Sequence, residues 1–227
     1  MEYRTIGKTG EKISTIGMGT WKLGTIRSSK ERLEQMDSLR RGIELGINLI
    51  DTAEAYGSEP LVAEVIKDRR DSVFVATKVW PNHLHHDDVL EACKGSLQRL
   101  GIKQIDLYQV HWPNPRIPIR ETMNAMEKLV RDGLVRYIGV SNFSVEQTKG
   151  AQDALTKSEL VSNQVEYSLN QRSIEADILP YCEKQGMTVI AYSPLGSGSI
   201  PASHVPRAIL TKYNATPAQA ILNWVTF

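Results

Sequence analysis

The chain has 227 residues, of which 41% are hydrophobic and 23% are charged, and its formal net charge at pH 7 is +1. A chain of this composition can bury a sizeable core, and its near-neutral charge gives no general attraction to nucleic acid or to an anionic membrane. No apolar run approaches the ~18 residues of a membrane span, and the N-terminal residues carry no apolar signal core. We therefore expect one soluble, cytoplasmic domain over residues 1–227.

The predicted elements begin with a small hairpin, in which residues 3–6 and 12–14 flank the turn Lys8-Thr9-Gly10. Apolar segments typical of β-strands then alternate with amphipathic segments of helical spacing, the clearest helix being residues 119–132. This alternation predicts right-handed βαβ units and a parallel sheet. The seven predicted strands of that sheet are residues 14–21, 47–52, 73–79, 105–111, 137–141, 161–167 and 187–192.

Two parallel architectures fit this alternation. A doubly wound sheet that binds a dinucleotide should show G-x-G-x-x-G between its first strand and first helix. The first strand leads instead into Gly17-Met18-Gly19-Thr20-Trp21, where the third glycine is absent. The pattern therefore favours a TIM (β/α)8-type barrel, whose active site draws residues from the C-terminal ends of many strands.

The strand count is about seven, and not eight. The last segment begins with Thr216, Pro217 and Gln219, which form a typical helix N-terminus, and it continues as an apolar helix to the end of the chain. We therefore expect a barrel that lacks its C-terminal segment and leaves unpaired edges on its first and seventh strands.

Polar residues stand at three consecutive predicted strand ends. Asp51, Lys78 and His111 each end an apolar run, and Tyr56 lies one short loop after Asp51. Each residue alone has an ordinary structural explanation, such as a helix cap, a solvated charge or a loop aromatic. Proton-transfer chemistry typically uses such a combination at one mouth of a barrel: a carboxylate, an ammonium, an imidazole and a phenol.

Other polar residues favour structural interpretations. His83, His85 and His86 lie close together and could ligate a metal, but a polar loop that leads into a capped helix explains them better. Cys93 and Cys182 lie far apart within helical patterns, which favours buried, reduced thiols. We therefore predict no metal site.

Six motifs carry a resemblance to a known family. They occur in order at residues 46–57, 77–79, 107–113, 138–143, 163–168 and 191–196, and they are G-I-N-L-I-D-T-A-E-A-Y-G, T-K-V, L-Y-Q-V-H-W-P, I-G-V-S-N-F, N-Q-V-E-Y-S and A-Y-S-P-L-G. With these motifs the chain resembles the aldo-keto reductases over essentially its whole length. The resemblance implies a (β/α)8 barrel with an N-terminal hairpin across its base. It also implies NADPH-dependent reduction of small aldehydes or ketones, with NADH as a possible donor.

The resemblance also implies catalytic roles. Tyr56 would be the general acid that protonates the carbonyl oxygen after hydride transfer. Lys78 would lower the pKa of Tyr56, because a nearby cation favours phenolate. Asp51 would hold Lys78 in place, and His111 would donate a hydrogen bond that orients the carbonyl.

Cofactor and substrate contacts are implied in the same way. Ser141, Asn142 and Gln164 would hold the nicotinamide carboxamide, and Tyr192 would stack on the ring. Asp51, at the end of the second predicted strand, also counts among the cofactor-binding residues. The remaining contacts are implied for the end of the first strand, for a loop along the pyrophosphate and for three aromatic walls of the substrate pocket. They are Thr20 and Trp21 at the strand end, Ser193, Leu195 and Gly196 in the loop, and Trp21, Trp80 and Trp112 as the walls.

The chain departs from the family pattern after its last helix. The family's eighth strand and the basic motif that grips the adenosine ribose and its 2′-phosphate find no match. A second hypothesis is therefore a catalytically impaired protein of this family that acts as a binding or regulatory subunit. The particular aldehyde or ketone, the preference for NADPH over NADH and the oligomeric state stay open at this point.

Overall fold

The structure is a computed structural model that describes residues 1–23, 28–198 and 204–226. Its strands are β1 (Tyr3–Thr5), β2 (Lys12–Ser14), β3 (Met18–Gly19), β4 (Leu49–Asp51), β5 (Phe74–Val79), β6 (Ile105–Val110), β7 (Val135–Ser141), β8 (Leu160–Glu166) and β9 (Thr188–Tyr192). Its helices are α1 (Ser29–Glu44), α2 (Glu59–Ile66), α3 (His86–Leu100), α4 (Ile119–Arg131), α5 (Val145–Ala154), α6 (Ile178–Gln185), α7 (Arg207–Tyr213) and α8 (Pro217–Thr226).

The sheet confirms the predicted barrel type. Strands β3 to β9 are parallel and pair in sequence order, so that within the described residues β3 and β9 are the two ends of a near-closed, seven-stranded barrel. Helices lie between successive strands, as right-handed crossovers require. The predicted hairpin is also present, as the antiparallel pair β1 and β2.

The first barrel strand is shorter than predicted. Residues 14–21 were expected to form one strand, but Ser14 ends β2 and only Met18–Gly19 pair with β4. The physical reason is that Ser14 forms hydrogen bonds with Asn48, which directly precedes β4, instead of continuing the strand. The Ser14 backbone N–H donates to Asn48 Oδ1 (2.6 Å), and its hydroxyl oxygen accepts from the Asn48 backbone N–H (3.1 Å).

The hydrophobic core has two parts, one on each face of the sheet. Inside the barrel, the hairpin residues Ile6 and Ile13 pack with Leu49, Phe74 and Leu107 and close the end at which the strands begin. Outside the barrel, a larger cluster fills the space between strands and helices. This arrangement leaves the opposite end of the barrel, where the strands finish, for polar side chains.

Local signals set the helix ends. Ser144 forms a capping box with Gln147 at the start of α5, so that two exposed backbone N–H groups gain partners. Gly101 and Gly186 end α3 and α6 with φ of 64° and 66°, a left-handed conformation that glycine adopts without steric cost.

The last helix packs on the loop that follows β8. The ring of Trp224 in α8 lies 5.3 Å from that of Tyr167, and the guanidinium of Arg172 lies 5.4 Å from the Trp224 ring. Only Ile221 of α8 is fully buried. None of the helices in the described ranges is both long and apolar enough to cross a membrane.

Glu127 near the end of α4 holds the loop that precedes β8. Its carboxylate accepts hydrogen bonds from the backbone N–H groups of Thr156, Lys157 and Ser158 at 2.7–2.9 Å, and from the Thr156 hydroxyl at 2.6 Å. Desolvation alone would raise the pKa of Glu127, but these hydrogen bonds outweigh it and lower the pKa to about 2.

This contact predicts a pH-dependent contribution to stability. Because the folded-state pKa is depressed, the contribution is complete above the unfolded value of about 4.3 and is lost as pH falls toward the folded value. We expect Glu127→Ala to lower the free energy of unfolding by about 1 kcal/mol at neutral pH, since the carboxylate is partly solvated. Urea unfolding at neutral and acidic pH measures the difference. Glu91→Ala, at an exposed position of α3, is the control, and a pH-independent loss in Glu127→Ala would contradict the assignment.

Candidate active site

Four polar side chains meet at the end of the barrel where the strands finish. Asp51 is the last residue of β4, Lys78 lies in β5, and His111 directly follows β6. Tyr56 ends a short 3₁₀ turn, Glu54–Tyr56, that follows β4. Since all carboxyl ends of a parallel barrel face one side, strand order alone places these residues together.

Lys78 and Asp51 form a buried ion pair. Lys78 Nζ lies 2.6 Å from Asp51 Oδ1 and donates a second bond, of 2.9 Å, to the Thr52 carbonyl oxygen. The Lys78 side chain is fully buried, and burial lowers its pKa against the opposing effect of Asp51. The Asp51 carboxylate therefore offsets part of the cost of burying the Lys78 ammonium.

Tyr56 lies beside this pair and beside His111. Its hydroxyl oxygen is 3.3 Å from His111 Nε2, and Lys78 Nζ is 5.1 Å from the centre of its ring. Burial, followed by the negative charge of Asp51, raises the pKa of Tyr56 well above its usual range. Lys78 was expected to lower this pKa, but desolvation of the phenolate and its repulsion by Asp51 dominate, so the net shift is upward. Tyr56 retains its proton.

His111 is held as a neutral imidazole. Burial and the charge of Lys78 lower its pKa to about 4. Its Nδ1 is buried and has no hydrogen-bond partner among the described residues. A proton on Nδ1 would be left without an acceptor, so the favoured tautomer carries its proton on Nε2, which faces Tyr56.

Gln164 and Asn142 link the strand ends further. Gln164 Nε2 donates to Asp51 Oδ2 at 2.8 Å, so that Asp51 joins β4 to both β5 and β8. Asn142 has φ of 63°, and its amide donates to the His111 carbonyl oxygen (3.1 Å) and to Ser141 Oγ (3.0 Å). The hydroxyl of Tyr192 donates to Asn142 Oδ1 at 3.0 Å.

The other predicted cofactor residues lie on the same end of the barrel. Ser193, Leu195 and Gly196 directly follow β9 in a tight turn, in which the Gly196 N–H donates to the Ser193 carbonyl oxygen at 2.8 Å. Thr20 differs from the others, because it is fully buried, its hydroxyl donates to the Asp51 carbonyl oxygen and it also shares a hydrogen bond with the Ser58 hydroxyl. Thr20 therefore stabilises the backbone at the end of β4.

The three predicted aromatic walls are solvent-accessible. The residues Trp21, Trp80 and Trp112 are 60%, 37% and 44% exposed, respectively. Only Trp80 shows ring packing on one of the four central residues, with its ring edge-on to His111 at 5.2 Å and 82°. Trp80 is thus the aromatic wall that the structure ties to the centre of the site.

Sequence reasoning missed Glu54. Its carboxylate accepts the backbone N–H of Trp80 and contacts His83 Nδ1 at 3.1 Å. The residue stands in the motif around Tyr56, and its position two residues before the phenol was the one available signal. Its partners lie in the next βα loop, and spacing alone does not reveal such contacts.

The opposite end of the barrel holds a cavity of about 810 Å³. Its charged residues include Asp106, which is paired with both Arg70 and Arg136. None of the four central residues lines this cavity. The histidines considered for a metal site pair separately, His83 with Glu54, His85 with Glu121 and His86 with Asp87, and residues 1–23, 28–198 and 204–226 contain no group of three or more metal-ligating side chains.

Comparison with known proteins agrees with this geometry. The model of the Aldo/keto reductase family matches residues 15–226, and the chain belongs to that family. The methylglyoxal reductase YeaE of Escherichia coli is 36% identical over an alignment of 234 positions, gaps included, that covers 99% of this chain and 81% of that protein.

A second relative and a solved structure are similar in the same way. The aldo-keto reductase YhdN of Bacillus subtilis is 40% identical over 87% of this chain, and the chain spans 63% of that relative, less than two thirds of its length. An aldo-keto reductase from Klebsiella pneumoniae, solved in complex with NADPH, superposes with a TM-score of 0.90 at 34% identity, covering 100% of this chain and 82% of that one.

The electrostatics of His111 can be tested directly. An NMR titration should give a His111 pKa of about 4 and a neutral Nε2–H tautomer at neutral pH. Lys78→Met removes the nearby positive charge, so the pKa should rise toward the ordinary value of about 6.5 while burial keeps it below that value. An unchanged pKa in Lys78→Met would show that Lys78 does not act on His111.

Proposed function

We propose that this protein reduces the carbonyl group of small aldehydes or ketones to alcohols, with NADPH as the hydride donor and Tyr56 as the general acid. The observation that carries the proposal is the proton-bearing Tyr56 hydroxyl, 3.3 Å from His111 Nε2 and beside the Lys78–Asp51 pair. Membership of the Aldo/keto reductase family and the NADPH complex of the Klebsiella relative support it.

The side chains at this end of the barrel suit a nicotinamide cofactor. Ser141, Asn142 and Gln164 offer a hydroxyl and two amides in one group, which is linked by hydrogen bonds from Asn142 to Ser141 and from Ser141 to the Gln164 carbonyl oxygen. These groups match the donors and acceptors of a carboxamide. Tyr192 ends β9 with a half-buried ring, which offers a flat face for stacking. The bound cofactor supplies the hydride. NADH is the alternative donor.

Tyr56 and His111 then act on the carbonyl oxygen. His111, neutral and protonated on Nε2, donates a hydrogen bond that orients the oxygen and stabilises the negative charge that develops there. Tyr56 holds its proton at neutral pH and transfers it to that oxygen. The ammonium of Lys78, fixed by Asp51, faces the Tyr56 ring and stabilises the phenolate that is left.

The substrates that fit best are small carbonyl compounds with little charge. The aromatic rings of Trp80 and Trp112 stand at the mouth, and YeaE, at 36% identity, is named a methylglyoxal reductase. We infer a short 2-oxoaldehyde such as methylglyoxal as the first substrate to assay. The intact four-residue cluster favours an enzyme over the alternative of a binding or regulatory subunit.

Substitution of Tyr56 tests the mechanism. Tyr56→Phe should lower kcat by about 10²- to 10⁴-fold, the usual contribution of a general acid, because only the proton donor is removed. NADPH oxidation with methylglyoxal measures the rate, and circular dichroism checks the fold.

Tyr108→Phe is the matched control on strand β6. The Tyr108 hydroxyl is buried and has no hydrogen-bond partner within the described ranges, so its loss should leave both activity and stability intact. Wild-type turnover in Tyr56→Phe would contradict the role of Tyr56. A folded wild-type chain without turnover would favour the binding-subunit alternative.

The rate of reduction should depend little on pH near neutrality. The pKa of Tyr56 lies above its ordinary value and that of His111 lies at about 4, so neither group changes its charge between about pH 6 and about pH 9. We therefore expect a flat profile of kcat/KM for reduction across this range. A titration with a midpoint near 7 would contradict one of these two protonation states.

A further inference from the structure

Glu54 lies in a position that connects two loops of the site. It begins the 3₁₀ turn that ends at Tyr56, and its side chain is only 10% exposed. One carboxylate oxygen, Oε1, accepts the backbone N–H of Trp80 and lies 3.1 Å from His83 Nδ1. Glu54 therefore binds the turn after β4 to the turn after β5.

The contact of Glu54 with Trp80 completes a closed ring of interactions. Trp80 follows Lys78 by two residues, and its ring lies edge-on to His111 with 5.2 Å between the ring centres. The Nε2 atom of His111 lies 3.3 Å from the Tyr56 hydroxyl, and Tyr56 follows Glu54 by two residues. Every link in this ring is either a short stretch of backbone or a direct contact.

We propose that Glu54 is a positioning residue, which fixes Trp80 against His111 and thereby sets the geometry of His111 and Tyr56. This inference rests on the proposed function, since it concerns the same reaction. Glu54 has no contact with the Tyr56 hydroxyl or with the ring of His111 in the hydrogen bonds and ring contacts of the described residues, so it acts through Trp80.

The physical reason is that the Trp80 N–H has no second acceptor among the residues that the structure describes. Without the carboxylate, this backbone donor loses the acceptor that fixes it, and the turn Pro81–His83 loses its link to the Tyr56 turn. Both the aromatic wall and the imidazole that packs on it are then free to shift. Displacements of about 1 Å in an active site can cost about 10²-fold in rate.

Three substitutions at Glu54 distinguish the effects of its side-chain length, its charge and its hydrogen-bond acceptor. We expect Glu54→Ala to lower kcat/KM for methylglyoxal reduction by about 10- to 100-fold, with a loss in kcat as well as a rise in KM. Glu54→Gln keeps the length and the acceptor oxygen and should restore most of the activity. Glu54→Asp keeps the charge but shortens the reach, so it should resemble Glu54→Ala. A Glu54→Gln enzyme as impaired as Glu54→Ala, or a Glu54→Ala enzyme with wild-type kcat/KM, would overturn the proposal.

Glu121 provides a matched control in the same chain. Its Oε1 also accepts a backbone N–H, from His86 at 3.0 Å, and also contacts a histidine Nδ1, that of His85 at 3.0 Å. It links α4 to the start of α3 and takes no part in the ring around Tyr56. Glu121→Ala should therefore leave kcat/KM unchanged. An equal loss in Glu121→Ala would mean that any such contact matters, and the specific role of Glu54 would fail.

An NMR measurement that needs no turnover tests the role of Glu54 separately from the proposed function. In NMR spectra of the whole chain, Glu54→Ala should move the Trp80 backbone amide proton upfield and shift the ring resonances of His111, whereas Glu54→Gln should shift both much less. If the wild-type chain were inactive, these shifts would still decide whether Glu54 positions Trp80 and His111. Unchanged Trp80 and His111 signals in Glu54→Ala would refute the proposal whatever the activity.

Discussion

The site depends on one interaction, the buried ion pair of Lys78 and Asp51. A fully buried ammonium is unfavourable unless its hydrogen bonds are satisfied, and here it has a carboxylate and the Thr52 carbonyl oxygen as acceptors. The second oxygen of Asp51 accepts from Gln164, so the pair joins β4, β5 and β8 across the barrel. Removal of one partner from such a pair typically costs about 3–5 kcal/mol, because the other charge is left uncompensated.

The ion pair also explains why its two neighbours are neutral. Dehydration disfavours the charged form of both Tyr56 and His111, which raises the pKa of the phenol and lowers that of the imidazole. The charges of the pair act in the same directions, since Asp51 opposes phenolate and Lys78 opposes imidazolium. The result is two neutral groups, the Tyr56 hydroxyl and the protonated His111 Nε2, that lie next to each other. This arrangement suits the protonation of a carbonyl oxygen without a change of charge on the enzyme beforehand.

The sequence predicted most of the fold, because alternating strands and helices leave few topologies and the hairpin has its own turn signal. It also predicted which side chains meet, because parallel strands bring their ends to one face. The short strand β3, the contacts of Glu54 and the direction of the Tyr56 pKa could not be predicted. Each is decided by groups distant in the sequence: Asn48 binds Ser14, Glu54 binds the backbone of Trp80, and the burial of Tyr56 outweighs a cation at its ring.

The two ends of the barrel use their polar groups in different ways. At the end closed by the hairpin, Asp106 is satisfied by Arg70, Arg136 and the Val75 N–H, and these contacts hold strand starts together. At the other end, Glu54 and Asn142 bind backbone groups of neighbouring loops, while the side chains of Trp80, His111 and Tyr56 contact one another. These contacts with backbone groups fix the loops without engaging the Tyr56 hydroxyl or the His111 ring. The chain can therefore keep a precise site on loops, where flexibility would otherwise be greatest, because Glu54 and Asn142 bind backbone groups of neighbouring loops.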